Sequence, residues 1–116
     1  MNGRLADLDA IKAIAAAVAG FPSVDSALCL PATLIAPAAS AVPGYAIGAQ
    51  DCHMAVSGAH TGCISADMLK EAGASLTIIG HSERRAAQNE SDADICGKAL
   101  AAKAAGLSAI VCVGET

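Results

Sequence analysis

The residues best suited to chemistry lie in the stretch LTIIGHSERR, residues 76–85, where an apolar segment gives way to a charged one at His81. Histidine exchanges a proton near neutral pH, so it can act as an acid, a base or a neutral hydrogen-bond donor. The segment 82–85 presents free backbone N–H groups, and these disfavour a positively charged ring. The pattern therefore predicts a neutral His81 at the end of a buried strand.

The charged residues after His81 have two interpretations. Glu83, Arg84 and Arg85 could hold a phosphate group, because arginine side chains match phosphate oxygens. An ion pair on the surface or between elements is the more frequent use of such a cluster. We therefore favour ion pairing for these three residues.

Four further residues are of the types that bind zinc: Cys52, His53, His60 and Cys63. Structural zinc sites usually pair their ligands as C-x-x-C or with three to five residues between two histidines. The spacing here, C-H-x6-H-x2-C, is irregular. We predict no metal and no other cofactor, and a zinc module is the minor alternative.

The composition indicates one folded domain. The chain has 116 residues, of which 54% are hydrophobic and 16% charged, so it can bury a core and does not resemble a disordered segment. No apolar run approaches the ~20 residues that cross a bilayer, and no secretory signal pattern is visible. The net charge of -4, with one basic pair at Arg84–Arg85, gives no footprint for nucleic acid.

Cysteine and alanine contents bear on location and stability. The five cysteines are odd in number and irregularly spaced, which favours reduced thiols in a cytoplasmic protein. Alanine contributes 29 residues, whereas the chain has one Phe, one Tyr and no Trp. Because alanine buries little area, the core must come from Leu, Ile, Val and close helix packing. An isolated monomer is therefore expected to be marginally stable.

Helical and strand-like segments alternate along the chain. Apolar spacing predicts a helix over 5–19, and Ser91 and Gly106 bound another over 91–106. Pro37 is expected to open or kink a helix that runs through about residue 41. The remaining predicted elements are a short helix near 65–72 and four strands, at 26–30, 45–50, 76–80 and 109–114.

The strands are apolar throughout and separated by helices, which indicates an α/β fold with a parallel sheet covered by helices. Ligand sites in such folds lie beyond the carboxyl ends of the strands. His81 therefore lies where a ligand is expected. The predicted strand ends are Pro31, Gln50–Asp51, Gly80–His81 and Gly114–Glu115.

Six short motifs follow one another along the chain: GAQDCH (48–53), GAHTGCIS (58–65), MLKEAGA (68–74), IIGHSERR (78–85), NESD (89–92) and VCVGET (111–116). In their order and intervals they closely resemble the triosephosphate isomerase family. The resemblance covers the whole chain. It implies that residues 1–116 form one half-barrel domain, a partial (βα) TIM barrel with four of the eight strands.

The resemblance implies a role for several residues. His81 matches the histidine that hydrogen-bonds the substrate oxygens while neutral, and this family is itself the established example of a histidine kept neutral by a helix N-terminus. Glu90 matches a second active-site glutamate, and Ser82 borders the site. Thr61, with Gly62 in the same loop, matches the loop tip that family dimers push into the neighbouring subunit.

Two departures from the family pattern limit what the resemblance implies. Cys63 stands where the family usually has an acidic residue at the dimer interface, which weakens the expectation of the standard dimer. The matching region begins just after the first family strand and ends with the fifth. It therefore lacks the family's lysine, its glutamate base and its lid, and neither Glu90 nor Glu115 matches that base. We expect these 116 residues alone to be inactive or nearly so.

Two hypotheses follow. In the first, as the resemblance implies, the chain belongs to the triosephosphate isomerase family, whose reaction interconverts dihydroxyacetone phosphate and glyceraldehyde 3-phosphate in glycolysis and gluconeogenesis. In the second, it is a non-catalytic half-barrel whose property is self-assembly, because four strands cut from a barrel leave two unpaired edges and an apolar inner face. Both predict a homo-oligomer, with a dimer as the expected form, and neither requires nucleic acid or a membrane.

Overall fold

The computed structural model describes residues 1–114 and shows four strands alternating with helices. After a 3-10 turn at Leu5–Asp7, the elements are α1 (Leu8–Val18), β1 (Ala27–Leu30), α2 (Ala32–Ala41), β2 (Ala46–Ala49), α3 (Ala66–Ala72), β3 (Leu76–Ile79), α4 (Ser82–Ala87), α5 (Asp92–Ala104) and β4 (Ser108–Val111). None of the helices in residues 1–114 has the length and apolar character of a membrane span.

The four strands form one parallel sheet in the order β1-β2-β3-β4. Cys29 of β1 lies opposite Gly48 of β2, and Ile78 of β3 lies opposite Ile110 of β4. Each strand is joined to the next by at least one helix, so all the carboxyl ends meet at one edge. The predicted α/β fold with four parallel strands and covering helices is confirmed.

The helix ends follow from capping residues in the sequence. Ser65 caps α3 by accepting a hydrogen bond from the Met68 N–H, and Gly73 ends that helix in the left-handed conformation. Ser91 and Asp94 form a reciprocal capping box at the start of α5. These signals explain why the predicted bounds of both helices agree with the structure to within two residues.

The core lies between the sheet and the helices that cover it. Helix α2 packs against α1, α3 and β2, and helix α5 packs against β3 and β4. The side chains at the centre are aliphatic or small, as the shortage of aromatic residues requires. Those that are almost fully buried and largest are Leu34, Ile35, Ile47, Thr77, Ile79 and Cys52.

Helices α2 and α4 differ from the prediction. Of the two alternatives for Pro37, opening the helix is wrong, because Pro37 lies inside α2, which begins five residues earlier at Ala32, directly after Pro31, and ends at Ala41 as expected. The fixed φ of Pro31 places the chain just outside the helix and so determines where it starts. Helix α4, Ser82–Ala87, was not predicted as a helix because its sequence SERRAA has no apolar periodicity and buries none of its residues.

Strands β1 and β4 lie at the two edges of the sheet. All four residues of β4 are exposed, and Ile110 and Val111 each keep 47% of their surface accessible. Residues 115 and 116, which the resemblance matches to the end of the fifth family strand, lie outside the described residues. Parallel sheets usually have both faces covered, so the exposed side chains of β4 are a departure from that rule.

Candidate active site

His81 lies at the carboxyl end of β3, where it caps the short helix α4. Its Nδ1 atom accepts a hydrogen bond from the Glu83 backbone N–H at 3.2 Å. A nitrogen that accepts a hydrogen bond carries no proton, so the ring proton is on Nε2. With Nδ1 as the acceptor, the contact corresponds to the neutral tautomer, in which Nε2–H can donate to a ligand.

A cavity of about 390 Å³ opens at this edge of the sheet. The His81 side chain is 44% exposed, so a ligand can reach the ring. The cavity combines one histidine with acidic, basic and apolar groups, a mixture typical of sites for small polar molecules. Its lining residues are Met1, Gln50, Asp51, Ile78, His81, Glu83 and Arg84.

Four charged side chains form a closed ring of ion pairs beside the cavity. The Lys98 ammonium donates to Asp51 Oδ1 at 2.8 Å and to Glu90 Oε1 at 2.5 Å. Arg84 donates from Nε to Glu90 Oε1 at 2.7 Å, and its Nη2 lies 3.1 Å from Asp51 Oδ2. The ring joins the end of β2, helix α4 and helix α5, so it fixes these three elements relative to one another.

The inner half of this ring is buried. The side chains of Lys98 and Glu90 are each 7% exposed, whereas that of Arg84 is 38% exposed. Among the described residues, Glu90 Oε2 has no hydrogen-bond partner although it is buried. Glu90 therefore faces Arg84 and Lys98, and the acidic residue beside the His81 ring is Glu83, whose carboxylate lies 3.8 Å from Nδ1.

In the ring of ion pairs, burial and hydrogen bonding shift the pKa values of Glu90 and Lys98 in opposite directions. Burial alone raises the pKa of the Glu90 carboxyl, but hydrogen bonds from Lys98 and Arg84 outweigh it and leave that pKa below its ordinary value. Burial alone lowers the pKa of the Lys98 ammonium, but hydrogen bonds to Asp51 and Glu90 outweigh it and raise the pKa. Both groups are therefore charged at neutral pH.

The lowered pKa of Glu90 predicts acid sensitivity. The stability that its carboxylate contributes is present above the ordinary pKa of 4.5 and is lost as the pH falls from there through the lower pKa of the folded state. We expect the Glu90→Gln variant to lose less stability than the parent between pH 5 and pH 3. Urea unfolding at fixed ionic strength and protein concentration measures the difference.

The Asp94 carboxyl also has a lowered pKa, because the Ser91 N–H and hydroxyl hydrogen-bond it. That residue is present in both proteins, so the difference between their pH profiles reports on Glu90. Parallel profiles for parent and variant below pH 5 would contradict the prediction.

The other residues implied by the resemblance lie on two exposed segments. Ser82 is the first residue of α4 and is exposed, directly beside His81. Thr61 and Gly62 are exposed in the loop between β2 and α3. Gly62 and Cys63 line a second cavity, of about 520 Å³, which shares Asp51 and Arg84 with the first. The structure thus brings this loop next to the ion-pair ring.

The candidate zinc residues do not converge. The His53 ring stacks near that of His60, with centroids 4.1 Å apart, and His53 Nδ1 accepts a hydrogen bond from the Ala55 N–H. The Cys52 thiol is buried and donates to the Lys98 carbonyl, and its burial raises its pKa to about 11. Within residues 1–114, no three metal-binding side chains are grouped. The geometry gives the zinc alternative no support.

Sequence reasoning did not single out Asp51, Lys98 or the contact of Glu83 with His81. One signal for Lys98 was available, because it occupies the apolar face of α5 between Ile95 and Ala102 at helical spacing. A lysine at such a position is buried only when it is paired. The partners could not be read from the sequence, since Asp51 lies 47 residues away.

Comparison with known proteins gives a consistent result. The model of the family described as triosephosphate isomerase matches residues 1–116. The triosephosphate isomerase of Ruegeria pomeroyi is 56% identical over 118 residues, and that of Dinoroseobacter shibae is 58% identical over 119 residues. Each alignment includes 100% of this chain and 47% of the relative.

A solved structure agrees with these sequences. The crystal structure of triosephosphate isomerase from Bartonella henselae superimposes with a TM-score of 0.94 at 48% identity. The match covers 100% of this chain and 49% of that structure. The chain therefore spans about half the length of the relatives that it matches.

Proposed function

This chain belongs to the triosephosphate isomerase family, and we propose that it supplies the neutral histidine to the interconversion of dihydroxyacetone phosphate and glyceraldehyde 3-phosphate. The observation that carries the proposal is the hydrogen bond from the Glu83 N–H to His81 Nδ1. It leaves Nε2–H as a donor at a cavity at the carboxyl edge of the sheet. This is the position at which (βα) barrels bind their substrates.

The reaction moves a proton between adjacent carbons and passes through an enediolate. It needs a base near the carbon, a donor at the oxygen and a grip on the phosphate. In our proposal, His81 Nε2–H donates to the substrate oxygen, and that bond strengthens as negative charge develops there. The donor is neutral, and we propose that its proton affinity is similar to that of the enediolate oxygen. Such a donor stabilises the negative charge through the hydrogen bond without transferring its proton.

We propose a supporting role for the other site residues. Glu90, with its carboxylate committed to Arg84 and Lys98, acts as a positioning residue that holds Arg84 at the cavity. Ser82 borders the substrate through its place beside His81 at the start of α4. No cofactor enters this scheme, since proton transfer and charge stabilisation are within the reach of side chains.

We propose that the base lies outside the described residues, 1–114. Among the described residues, the carboxylates that line the cavity are Asp51 and Glu83. Asp51 is held by Lys98 and Arg84, and the Glu83 side chain is 80% exposed. Neither is a desolvated group poised to take a proton from carbon, so we propose that these 116 residues alone do not catalyse the reaction.

A segment exchange tests the proposal. The matching half of the Bartonella henselae enzyme is replaced by residues 1–116 of this chain, and the chimera is assayed with both triose phosphates. We expect kcat/KM within about tenfold of the Bartonella henselae enzyme, since one decade corresponds to only about 1.4 kcal/mol. The kcat/KM of the 116-residue polypeptide alone should be at least ~100-fold lower than that of the chimera, because it lacks a base.

The two arms give separate answers. A folded but inactive chimera would refute the proposed role of the segment. Turnover by the 116-residue polypeptide close to that of the chimera would refute the requirement for a base from elsewhere.

The exposed edges favour a second candidate, a self-assembling half-barrel with a structural role. Within residues 1–114, each edge strand pairs on one side only, and β4 exposes Ile110 and Val111. We propose that the isolated polypeptide forms a homo-oligomer, with a dimer as the expected form. The loop tip at Thr61 and Gly62, which the resemblance matches to the dimer contact of the family, is exposed.

Size-exclusion chromatography with light scattering measures this association. At micromolar concentration, the mass of the 116-residue polypeptide measured by light scattering should exceed the monomer mass of 11.3 kDa. Charged substitutions on the exposed edge, Ile110→Lys with Val111→Lys, should shift the mass towards that of the monomer. A stable monomer without these substitutions would refute self-association.

We also propose a cytoplasmic location, which suits five free cysteines and a glycolytic reaction.

A further inference from the structure

The guanidinium of Arg85 makes three hydrogen bonds at the carboxyl edge of the sheet. Its Nε donates to the Gly80 carbonyl at 2.7 Å, and its Nη2 donates to the Cys112 carbonyl at 2.9 Å. The third bond runs from Nη1 to Asp92 Oδ1 at 2.7 Å. Two of the three acceptors are therefore backbone groups at the ends of neighbouring strands.

These backbone acceptors are directly connected to the candidate active site. Gly80 is the residue before His81, and its carbonyl belongs to the peptide group that joins the two residues. Cys112 follows β4 and donates its own N–H to the Ile79 carbonyl. Arg85 thus continues the pairing of β3 with β4 beyond the last strand residues and fixes the turn from which the His81 ring projects.

The space at this turn is filled by the same side chain. Gly80 has a φ of +70°, and a Cβ added there would lie 2.9 Å from Ile95 Cδ1 and 3.1 Å from Arg85 Nη2. The turn therefore requires glycine both for its backbone conformation and for the close approach of the guanidinium. With Arg85 on one side and Ile95 on the other, the peptide before His81 has little freedom to rotate.

We propose that Arg85 is a positioning residue for His81: it holds the Gly80 carbonyl, and thereby keeps His81 Nδ1 on the Glu83 N–H and Nε2–H free for a ligand. The contacts of Arg85 are independent of the proposed function; the catalytic importance of the His81 imidazole rests on it. A lysine cannot substitute, because its single nitrogen cannot reach two carbonyls and a carboxylate with the fixed geometry of a guanidinium. The bond to Asp92 contributes little, since that side chain is 94% exposed.

Nuclear magnetic resonance on the 116-residue polypeptide tests the proposal without an activity assay. The readouts are the exchange rate of the Glu83 amide proton and the ¹⁵N shifts of the His81 ring. In the Arg85→Lys variant, we expect Glu83 amide exchange at least tenfold faster and a shift of Nδ1, with the amide spectrum of α2 unchanged. The control Asp92→Asn, which removes only the exposed partner, should leave both readouts within twofold of the parent.

Two outcomes would overturn the proposal. One is an Arg85→Lys variant that folds and keeps the Glu83 protection and the His81 shifts. The other needs no variant: the Arg85 Nε–H of the parent should exchange at least tenfold more slowly than that of the exposed Arg4, and equal rates would show that the carbonyl bond does not persist. An inactive chimera with slow exchange at Glu83 would count against the proposed function alone.

Discussion

Replacing Lys98 with methionine is expected to lower the free energy of unfolding by about 3–5 kcal/mol, the usual cost of removing one partner from a buried ion pair. Methionine fills a similar volume, so the loss arises mainly from the charges that remain. Lys98 donates to both Asp51 and Glu90, and without it their two carboxylates share Arg84 alone. Urea unfolding followed by far-ultraviolet circular dichroism at one protein concentration measures the change.

The same substitution at Lys103 is the matched control. Lys103 lies on the same helix, α5, but is exposed in its last turn, so its loss should cost no more than about 1 kcal/mol. A Lys98→Met variant that is no less stable than Lys103→Met would contradict the prediction. The double variant Lys98→Met/Glu90→Gln should be less destabilised than the sum of the two single changes, because it also removes a stranded charge.

The architecture was predictable because its signals are local. Apolar runs predicted the four strands, and Ser91 predicted the start of α5. Alternation of the two element types is sufficient to predict a parallel sheet. Helix α4 was the exception, because it depends on the cap from His81 and on the contacts of its arginines with other elements. Its own six residues have no apolar face that could mark it.

The candidate site was predictable only in part. The position of His81 follows from the strand end before it, and the family follows from motifs that the comparisons confirm. The contacts that surround His81 join distant residues: 27 positions separate Arg85 from Cys112, and 47 separate Asp51 from Lys98. Neither periodicity nor spacing contains such pairings. The roles of His81, Glu90, Ser82, Thr61 and Gly62 stay predictions.

The three charged residues after Ser82 are consecutive in the sequence, but each contacts a different partner. The Glu83 backbone N–H binds the His81 ring, Arg84 joins the ion-pair ring, and Arg85 holds the ends of β3 and β4. Predicting ion pairs for this segment was therefore sound for the arginines and incomplete for Glu83. Through these contacts, the six-residue helix α4 connects the carboxyl ends of β2, β3 and β4 around one cavity.

Replacing His81 with asparagine in the active chimera is expected to lower kcat by about 10²–10³, or about 2.7–4 kcal/mol, as when one donor to a developing oxyanion is removed. Asparagine is a favourable helix cap, so its side-chain oxygen can still accept the Glu83 N–H and preserve α4. KM should change little, because the bond to the substrate oxygen strengthens mainly in the transition state. Steady-state assays in both directions measure these constants.

The control for this substitution is Gln88→Ala at the other end of α4. Gln88 is exposed, and its backbone N–H donates to the Arg84 carbonyl, a bond that alanine keeps, so kcat should stay within twofold of the unmodified chimera. Circular dichroism and urea unfolding of both variants separate a loss of chemistry from a loss of folding. A His81→Asn variant that folds and keeps more than a tenth of the original kcat would show that the ring is a helix cap and not the electrophile.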